Sequence, residues 1–250
     1  MQIQAFFDRI GYTGTTELTL SNLQQIVRCH LETVPFENSA FYKNPHEMSL
    51  KPEDLYDKVV NRRLGGVCFE LNGLFNWLLN QIGYEVYPVS VRISMFPGFP
   101  TPITHQGNVV VLDGKKYYCD VGFGGPGPKG VLAMDETEVQ IIDGEPFKVE
   151  HDENYSIILR MHEGEFTPIL RYVDIPSDPA DFPILFFYFC ANPTSRFVTH
   201  RTVNLCLPDG YLAINENEFT GKRGGEKFQK ILETEEEIKE VMYKEFGLII

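Results

Sequence analysis

The stretch HQGNVVVLDGKKYYCDVG, residues 105–122, limits the possible folds of this chain more than any other. It holds two β-prone runs joined by Asp113-Gly114, the strongest short-range signal for a two-residue hairpin turn. Such a turn sets Leu112 opposite Lys115. Run back along the strands, the same register sets His105 opposite Gly122 and Gly107 opposite Asp120. Side chains alternate between faces, so these four positions share one face. His105 and Asp120 are then diagonal neighbours, about 7–8 Å apart at the backbone and within side-chain reach. A carboxylate so placed can fix the tautomer of an imidazole and stabilise its charged form, leaving the other ring nitrogen free as a base. Register alone fits a surface His–Asp pair at a strand end equally well.

Around this hairpin the hydrophobic periodicity changes once. Before residue 85 it is helical. Leu20, Leu23, Ile26, Val27 and Leu31 recur at helical spacing, with Ser21 and Asn22 as candidate caps. KPEDLYDKVV opens with Pro52 and acidic residues, a helix N-terminus by composition. From Cys68, the residues Leu71, Leu74, Phe75, Leu78, Leu79 and Ile82 form one apolar stripe that Gly83 closes. Beyond it VYPVSVRIS alternates, with Val89, Val91 and Ile93 on one face, and a Pro/Gly loop follows. Short strands are expected around 138–149, 155–161 and 202–214, so the middle reads as a barrel or strongly twisted sheet. KFQKILETEEEIKEVMYKEFG, residues 227–247, reads as an amphipathic helix with Thr234 as cap. Helices, then antiparallel strands, then a mixed C-terminal piece make an α+β fold.

Within the helical part, RRLGGVCFELN leads two glycines directly into Cys68. Unpaired backbone N–H groups and the positive end of the helix dipole favour a thiolate there, the reactive form of cysteine. A small buried apolar residue is the competing reading. After Asp120 the run VGFGGPGP lets backbone approach a neighbour closely and offers N–H groups to anions. In VPFENS, residues 34–39, Glu37 and Asn38 beside an apolar Phe36 call for buried partners. The other histidines, at 30, 46, 151, 162 and 200, read as surface or structural.

Bulk properties remove several function classes. The net charge of −13 comes without a basic stripe, which argues against nucleic acid and anionic membranes as partners. No apolar run is long enough to span a bilayer, and MQIQAFFDRIGY lacks the basic start and apolar core of a secretion signal. Cysteines at 29, 68, 119, 190 and 206 are odd in number, widely spaced and free of any C-x-x-C pair. That pattern argues against a disulfide framework and a metal site, and fits a reducing cytoplasm.

Five motifs, VPFENS, GGVCFELN, THQGNVVV, YYCDVGFGGP and NPTSRF, occur in this order along the chain. In them the sequence resembles the arylamine N-acetyltransferases, from about residue 5 to the C-terminus. The resemblance implies three parts on a scaffold similar to papain-like and transglutaminase-like proteins. A helical bundle (1–85) would carry the cysteine, a β-barrel (86–190) the histidine and aspartate, and an α/β lid (191–250) would close the site. It implies Cys68 as nucleophile, His105 as base and Asp120 as its orienting partner, in agreement with the hairpin register. It further implies acetyl-CoA as acyl donor and arylamines, hydrazines or arylhydrazines as acceptors, in a ping-pong reaction through acetyl-Cys68. Phe36, Thr104, Phe123, Phe197 and the loop 95–104 are the expected pocket lining, needed because water competes with the amine for the acetyl group. By the same resemblance Thr101, Tyr188 and Thr194 would contact CoA, and Gly124 and Gly125 would lie along its pyrophosphate.

Two departures from the family pattern stand out. The position before the glycine pair, where the family has arginine, is Leu64; either Arg63 substitutes by reaching carboxylates such as Glu37, or the loop is looser. The chain also stops directly after its last helix, without the extension of animal members, which implies a bacterial enzyme with a more open CoA cleft. A cysteine hydrolase with the same triad, and a non-catalytic binding protein on the same scaffold, are the rival readings.

Overall fold

Helical periodicity gives way to strand periodicity at Gly83, and the structure changes class at the same place. The computed structural model describes residues 1–43, 48–94 and 101–249. His46, and residues 95–100 of the expected pocket loop, lie outside the described residues.

The N-terminal part packs α1 (Ile3–Ile10), α2 (Leu20–Thr33), α3 (Pro52–Tyr56) and α4 (Cys68–Ile82), with the short strand β1 (Phe36–Glu37) between α2 and α3. Thr19, two residues before Ser21, the first of the expected caps, accepts the Asn22 backbone N–H and starts α2. A threonine hydroxyl in extended backbone reaches that donor directly. Beyond Tyr56 the helix expected from KPEDLYDKVV widens into a π-helical turn, Asp57–Asn61. Gly83, at φ 109, closes α4 in the left-handed region. Arg9 ties three pieces together, donating from Nε to Val59 O at 2.9 Å and from Nη1 to Thr33 O at 2.8 Å.

The middle is one eight-stranded antiparallel sheet. Its members are β2 (Glu85–Ile93), β3 (His105–Leu112), β4 (Lys115–Cys119), β5 (Leu132–Ala133), β6 (Gln140–Ile142), β7 (Glu145–His151), β8 (Ser156–His162) and β9 (Glu165–Tyr172). The spatial order β5-β4-β3-β2-β9-β8-β7-β6 leaves β5 and β6 at opposite ends. The side-chain amide of Gln140 bridges that seam. Its Oε1 accepts the Ala133 N–H at 2.9 Å and its Nε2 donates to the Ala133 carbonyl at 2.8 Å, reproducing the pair of bonds a neighbouring strand would make. Leu112 pairs with Lys115 and Asn108 with Cys119, the register expected from the Asp-Gly turn.

Strand β3 is buried on both faces, which explains its unbroken NVVVL run. Val109 faces the barrel interior with Val89, Val91 and Tyr118, while Val110 faces the helices. After the barrel come α5 (Phe182–Ala191) and α6 (Arg196–Thr199), then β10 (Thr202–Leu207), β11 (Gly210–Asn215), β12 (Glu218–Arg223), β13 (Glu226–Ile231) and α7 (Glu235–Phe246). The segment 182–190, grouped with the barrel by the sequence reading, instead buries Phe182, Phe186 and Cys190 in the helical core. Residues 227–231, read as the start of the last helix, form β13. Their alternation pairs them with β12, and only from Glu235, capped by Thr234, does the chain turn helical. The C-terminal sheet borrows β1 as its edge, so Phe36 and Glu37 join the first part of the chain to the last. No described helix is long and apolar enough to cross a membrane.

His30 is the core residue with a measurable pH signature. It is fully buried, with Phe6 and Phe75 ring centroids at 6.0 and 5.6 Å, and neither ring nitrogen has a hydrogen-bond partner among the described residues. Burial, then the nearby Arg9 charge, pushes its pKa down to about 3. Between its ordinary value of 6.5 and that value only the unfolded chain binds the proton, so stability falls as pH falls. The slope is about 1.4 kcal/mol per pH unit. His30→Leu is therefore expected to lose about 2 kcal/mol less than the wild type between pH 6.5 and pH 5, read from urea midpoints at the two pH values. Parallel acid limbs in the two proteins would refute this.

Candidate active site

Cys68 is the first residue of α4, where the backbone N–H groups of the opening turn have no intrahelical acceptor. Glu70 closes part of that turn, its Oε2 accepting the Val67 N–H at 2.9 Å. The thiol is buried, lies 3.9 Å from the Thr104 carbonyl oxygen, and neighbours His105, whose charged form it favours. His105 opens β3, and its Nε2 meets Asp120 Oδ2 at 2.6 Å, both side chains being 1% exposed. The imidazole thus stands between thiol and carboxylate, the arrangement the hairpin register anticipates for two of the three residues.

Asp120 carries a full set of donors. Asn72 Nδ2 and the Gly122 N–H reach Oδ1 at 2.8 and 2.9 Å, while His105 Nε2 and the Tyr118 hydroxyl reach Oδ2 at 2.6 and 2.8 Å. Burial by itself would raise the aspartate; the His105 charge, then the bonds from His105, Asn72 and Gly122, hold it below the usual carboxylate range. Burial likewise opposes a charge on His105, and the Asp120 charge with the bonds to Asp120 and Cys68 outweighs it, pushing the imidazole up to about 10. Both shifts favour the ionised pair. Burial first, then Asp120, drives Tyr118 well above 10, so it remains a donor.

Asn72, one turn after Cys68, holds these parts in register. Its Nδ2 also donates to Gln106 O at 2.6 Å and its Oδ1 accepts the Val121 N–H at 2.9 Å. Asn108 Nδ2 donates to Asn72 O, and Asn76 Nδ2 to Asn108 Oδ1, both at 3.0 Å. Neither Asn72 nor Tyr118 was among the sequence candidates. The usable signals were an asparagine one helical turn after the cysteine, and a tyrosine two residues before Asp120 on the same strand face. A buried thiol beside a charge-stabilised imidazole can attack a carbonyl, and the imidazole can return the proton to a leaving group.

Comparison with known proteins decides the family. The N-acetyltransferase family model matches residues 19–250, and an arylamine N-acetyltransferase of Mycobacterium tuberculosis is 32% identical over 230 residues, covering 90% of this chain and 81% of the relative. The chain belongs to the arylamine N-acetyltransferase family. The solved arylamine N-acetyltransferase from M. tuberculosis superposes with a TM-score of 0.92 at 30% identity, covering 98% of this chain and 93% of that one. The Mycobacterium marinum arylamine N-acetyltransferase in complex with CoA gives 0.91 at 28%, covering 98% and 92%.

The remaining candidates divide into two groups. Phe123 stands edge-on to His105 at 5.8 Å, and Phe36 packs 6.0 Å from Phe197 and against Gly124. Gly124, at φ 64, leaves room for the Phe36 ring, 2.6 Å from where a Cβ would stand. Phe36 also bridges to Gly66, two residues before Cys68, so these arylamine N-acetyltransferase motifs meet at one wall. Thr104 contributes its carbonyl next to the thiol. Gly125 and Tyr188 are exposed, Tyr188 lying edge-on to Phe189, while Thr101 gives its carbonyl to Arg92. Thr194 sits in an exposed turn where its N–H and hydroxyl both donate to Asn192 Oδ1. These four make no direct bond to the triad in the contacts described. Among the described residues no cluster of three or more His, Cys, Asp or Glu side chains could hold a metal.

The cation facing Glu37 is not Arg63. Arg63 is exposed with φ 57, whereas Lys58 is buried with its Nζ 2.7 Å from Glu70 Oε1. Burial opposes its charge, and Glu70 and then Glu37 outweigh that. Leu64 in turn packs on the C-terminal core.

Gly122 is where the chain after the hairpin touches α4 at Cys68. A Cβ there would stand 2.9 Å from Cys68 Cα and 3.0 Å from Asn72 Nδ2. Gly122→Ala must therefore push α4 and the hairpin apart. Acetyl transfer is expected to fall by about 100-fold or more. Comparing kcat/KM with the thermal midpoint checks this; a folded variant with wild-type turnover would show that the close approach is dispensable.

Proposed function

We propose that this chain transfers an acetyl group from acetyl-CoA to the nitrogen of a small arylamine, hydrazine or arylhydrazine, by way of acetyl-Cys68. The observation that carries the reading is the buried Cys68–His105–Asp120 line, built across two parts of the fold in a chain of this family. The CoA bound to the M. marinum relative supports the same acyl donor here.

In the first half, the Cys68 thiolate attacks the thioester carbonyl. The new C–S bond to Cys68 forms, the bond to the CoA sulfur breaks, and His105 gives its proton to that sulfur. In the second half, the amine nitrogen attacks the acetyl carbon. His105, now neutral, takes the amine proton, and Cys68 leaves as thiolate, restoring the ion pair. Each oxyanion develops beside the N-terminus of α4, where backbone N–H groups and the helix dipole favour negative charge.

Phe36, Phe123, Phe197 and Thr104 line the acyl and amine pocket and limit water at the acetyl-enzyme. CoA enters along Gly124 and Gly125, with Thr101, Tyr188 and Thr194 as outer contacts. The exposure of Gly125, Tyr188 and Thr194 suits residues waiting for a large ligand. The helical, barrel and lid parts act as three units meeting at the triad. All the cysteines are free, which fits work in a reducing cytoplasm.

Intact-protein mass after mixing with acetyl-CoA, without amine, is expected to rise by about 42 Da, as a covalent acetyl intermediate requires. The gain should vanish in Cys68→Ala and be discharged by an added arylamine. Loss of the adduct to water at the same rate with or without amine would favour a hydrolase. An inert Cys68, unreactive to both acetyl-CoA and alkylating agents, would leave a non-catalytic binding protein.

A further inference from the structure

The two oxygens of Asp120 do different work. Oδ1 is held by Asn72 and the Gly122 N–H, while Oδ2 is shared between His105 and Tyr118. The Tyr118 hydroxyl is therefore the donor that competes with the imidazole for one oxygen. Its placement is built in. The ring is fully buried and stacks on Tyr172 at 5.3 Å and 26°, and the hydroxyl occupies the space left by Gly107, where a Cβ would stand 2.5 Å away.

The groups around the imidazole come from several elements. Cys68 and Asn72 face the site from α4, Tyr118 from β4, and Asp120 and Gly122 from the segment after it. Tyr172 reaches Tyr118 from β9, Cys119 borders Asp120 and Tyr118, and Phe123 covers the ring without a charge. Two groups can thus favour the proton on His105, Cys68 when ionised and, more strongly, Asp120.

Acetylation of Cys68 removes the first. What then keeps His105 charged is Asp120 alone, against burial. The second half-reaction needs the opposite state, a neutral ring that can accept the amine proton. A hydroxyl that donates to Oδ2 draws off part of the negative charge the ring sees, because hydrogen bonds to an anion stabilise it without the imidazolium.

We propose that Tyr118 is a positioning residue for the second half-reaction, its hydroxyl weakening the hold of Asp120 on the His105 proton so that the imidazole becomes a base once Cys68 is acetylated. This rests on the acetyl-cysteine cycle proposed above. Tyr118 touches neither substrate nor thiol and acts through Asp120.

The test measures the two halves separately across pH. Acetyl transfer from acetyl-CoA to the protein and discharge of the adduct by an aniline are both followed by rapid-quench mass analysis. Tyr118→Phe keeps the buried ring and its stack. It is expected to acquire the acetyl group at a rate within about 3-fold of wild type, while the midpoint of its discharge profile moves up by about half to one pH unit. Discharge below that midpoint then slows by about 3- to 10-fold. Tyr172→Phe, which removes a hydroxyl from the same stack, should keep the wild-type midpoint. Site-specific 3-fluorotyrosine at 118 retains the bond with a stronger donor and should move the midpoint down; it decides the matter alone if Tyr118→Phe does not fold. An unmoved midpoint in these variants, or equal slowing of both halves at every pH, overturns the inference while leaving the transferase cycle intact. A wild-type protein that never acquires an acetyl group sinks both.

Discussion

The line from Cys68 through His105 to Asp120 depends on a seam of side-chain amides between a helix and a hairpin that are far apart in sequence. Cys68 is fixed by α4, and His105 and Asp120 by the β3–β4 hairpin. Nothing local in either element sets the distance between them. Asn72 does so, touching the Gln106 carbonyl, the Asp120 carboxylate and the Val121 N–H at once. Asn76 and Asn108 extend the seam by one further turn of helix. Each bond is worth only about 1 kcal/mol net, but the cost of leaving one of these buried groups unpaired is larger. The seam therefore fixes position more than it adds stability, because any slip of α4 along β3 strands several polar groups together.

Charge follows the same logic. A carboxylate, an imidazole and a thiol in a dry interior are each costly when ionised alone. Together they exchange that cost for mutual attraction and a closed set of donors. The buried Lys58–Glu70 pair, with Glu37 close by, repeats the pattern behind Cys68 and supports the glycine turn from the other side. There, where the resemblance implies an arginine, this chain has Leu64. Leu64 is freed to pack on the C-terminal core, and the cation comes from the π-helical turn, which no one-dimensional pattern around the glycine pair would suggest. π-turns tend to occur where function asks a helix to present an unusual face.

What was legible in the sequence was what is locally determined. The Asp-Gly turn dictates its own register, so the His105–Asp120 contact could be read before any coordinates. Gly83 and Thr234 end and begin helices through their own backbone and side-chain geometry, and those boundaries were legible too. The edges were not. Residues 227–231 have both strand and helix character, and only β12 beside them makes them a strand. A two-residue β1 has no periodicity, since it exists only because β10 passes by. The lining of α5 against the helical core also escaped, because FPILFFYFCA is apolar all round and gives no direction to a face. Asn72 and Tyr118 were hidden for a related reason. Each is an ordinary polar residue on its own element and gains meaning only from a partner some 2 to 48 positions away.

The same geometry resolves an apparent conflict in the chemistry. A histidine held charged as firmly as His105 is well suited to protonate a departing CoA sulfur and poorly suited to accept a proton from an amine. In the resting state its charge is sustained by neighbours on both sides, Cys68 and Asp120. In the acetyl-cysteine cycle proposed above, the intermediate itself would change this, because the acetylated sulfur is a neutral thioester. On that proposal the switch is the covalent state of Cys68, and the burial that opposes a charge on His105 would then favour the neutral ring. A site exposed to water would gain little from this, since solvent would screen the thiolate's charge before its loss could matter. Burial of Cys68, His105 and Asp120 would therefore be part of how one histidine serves both halves of the proposed cycle.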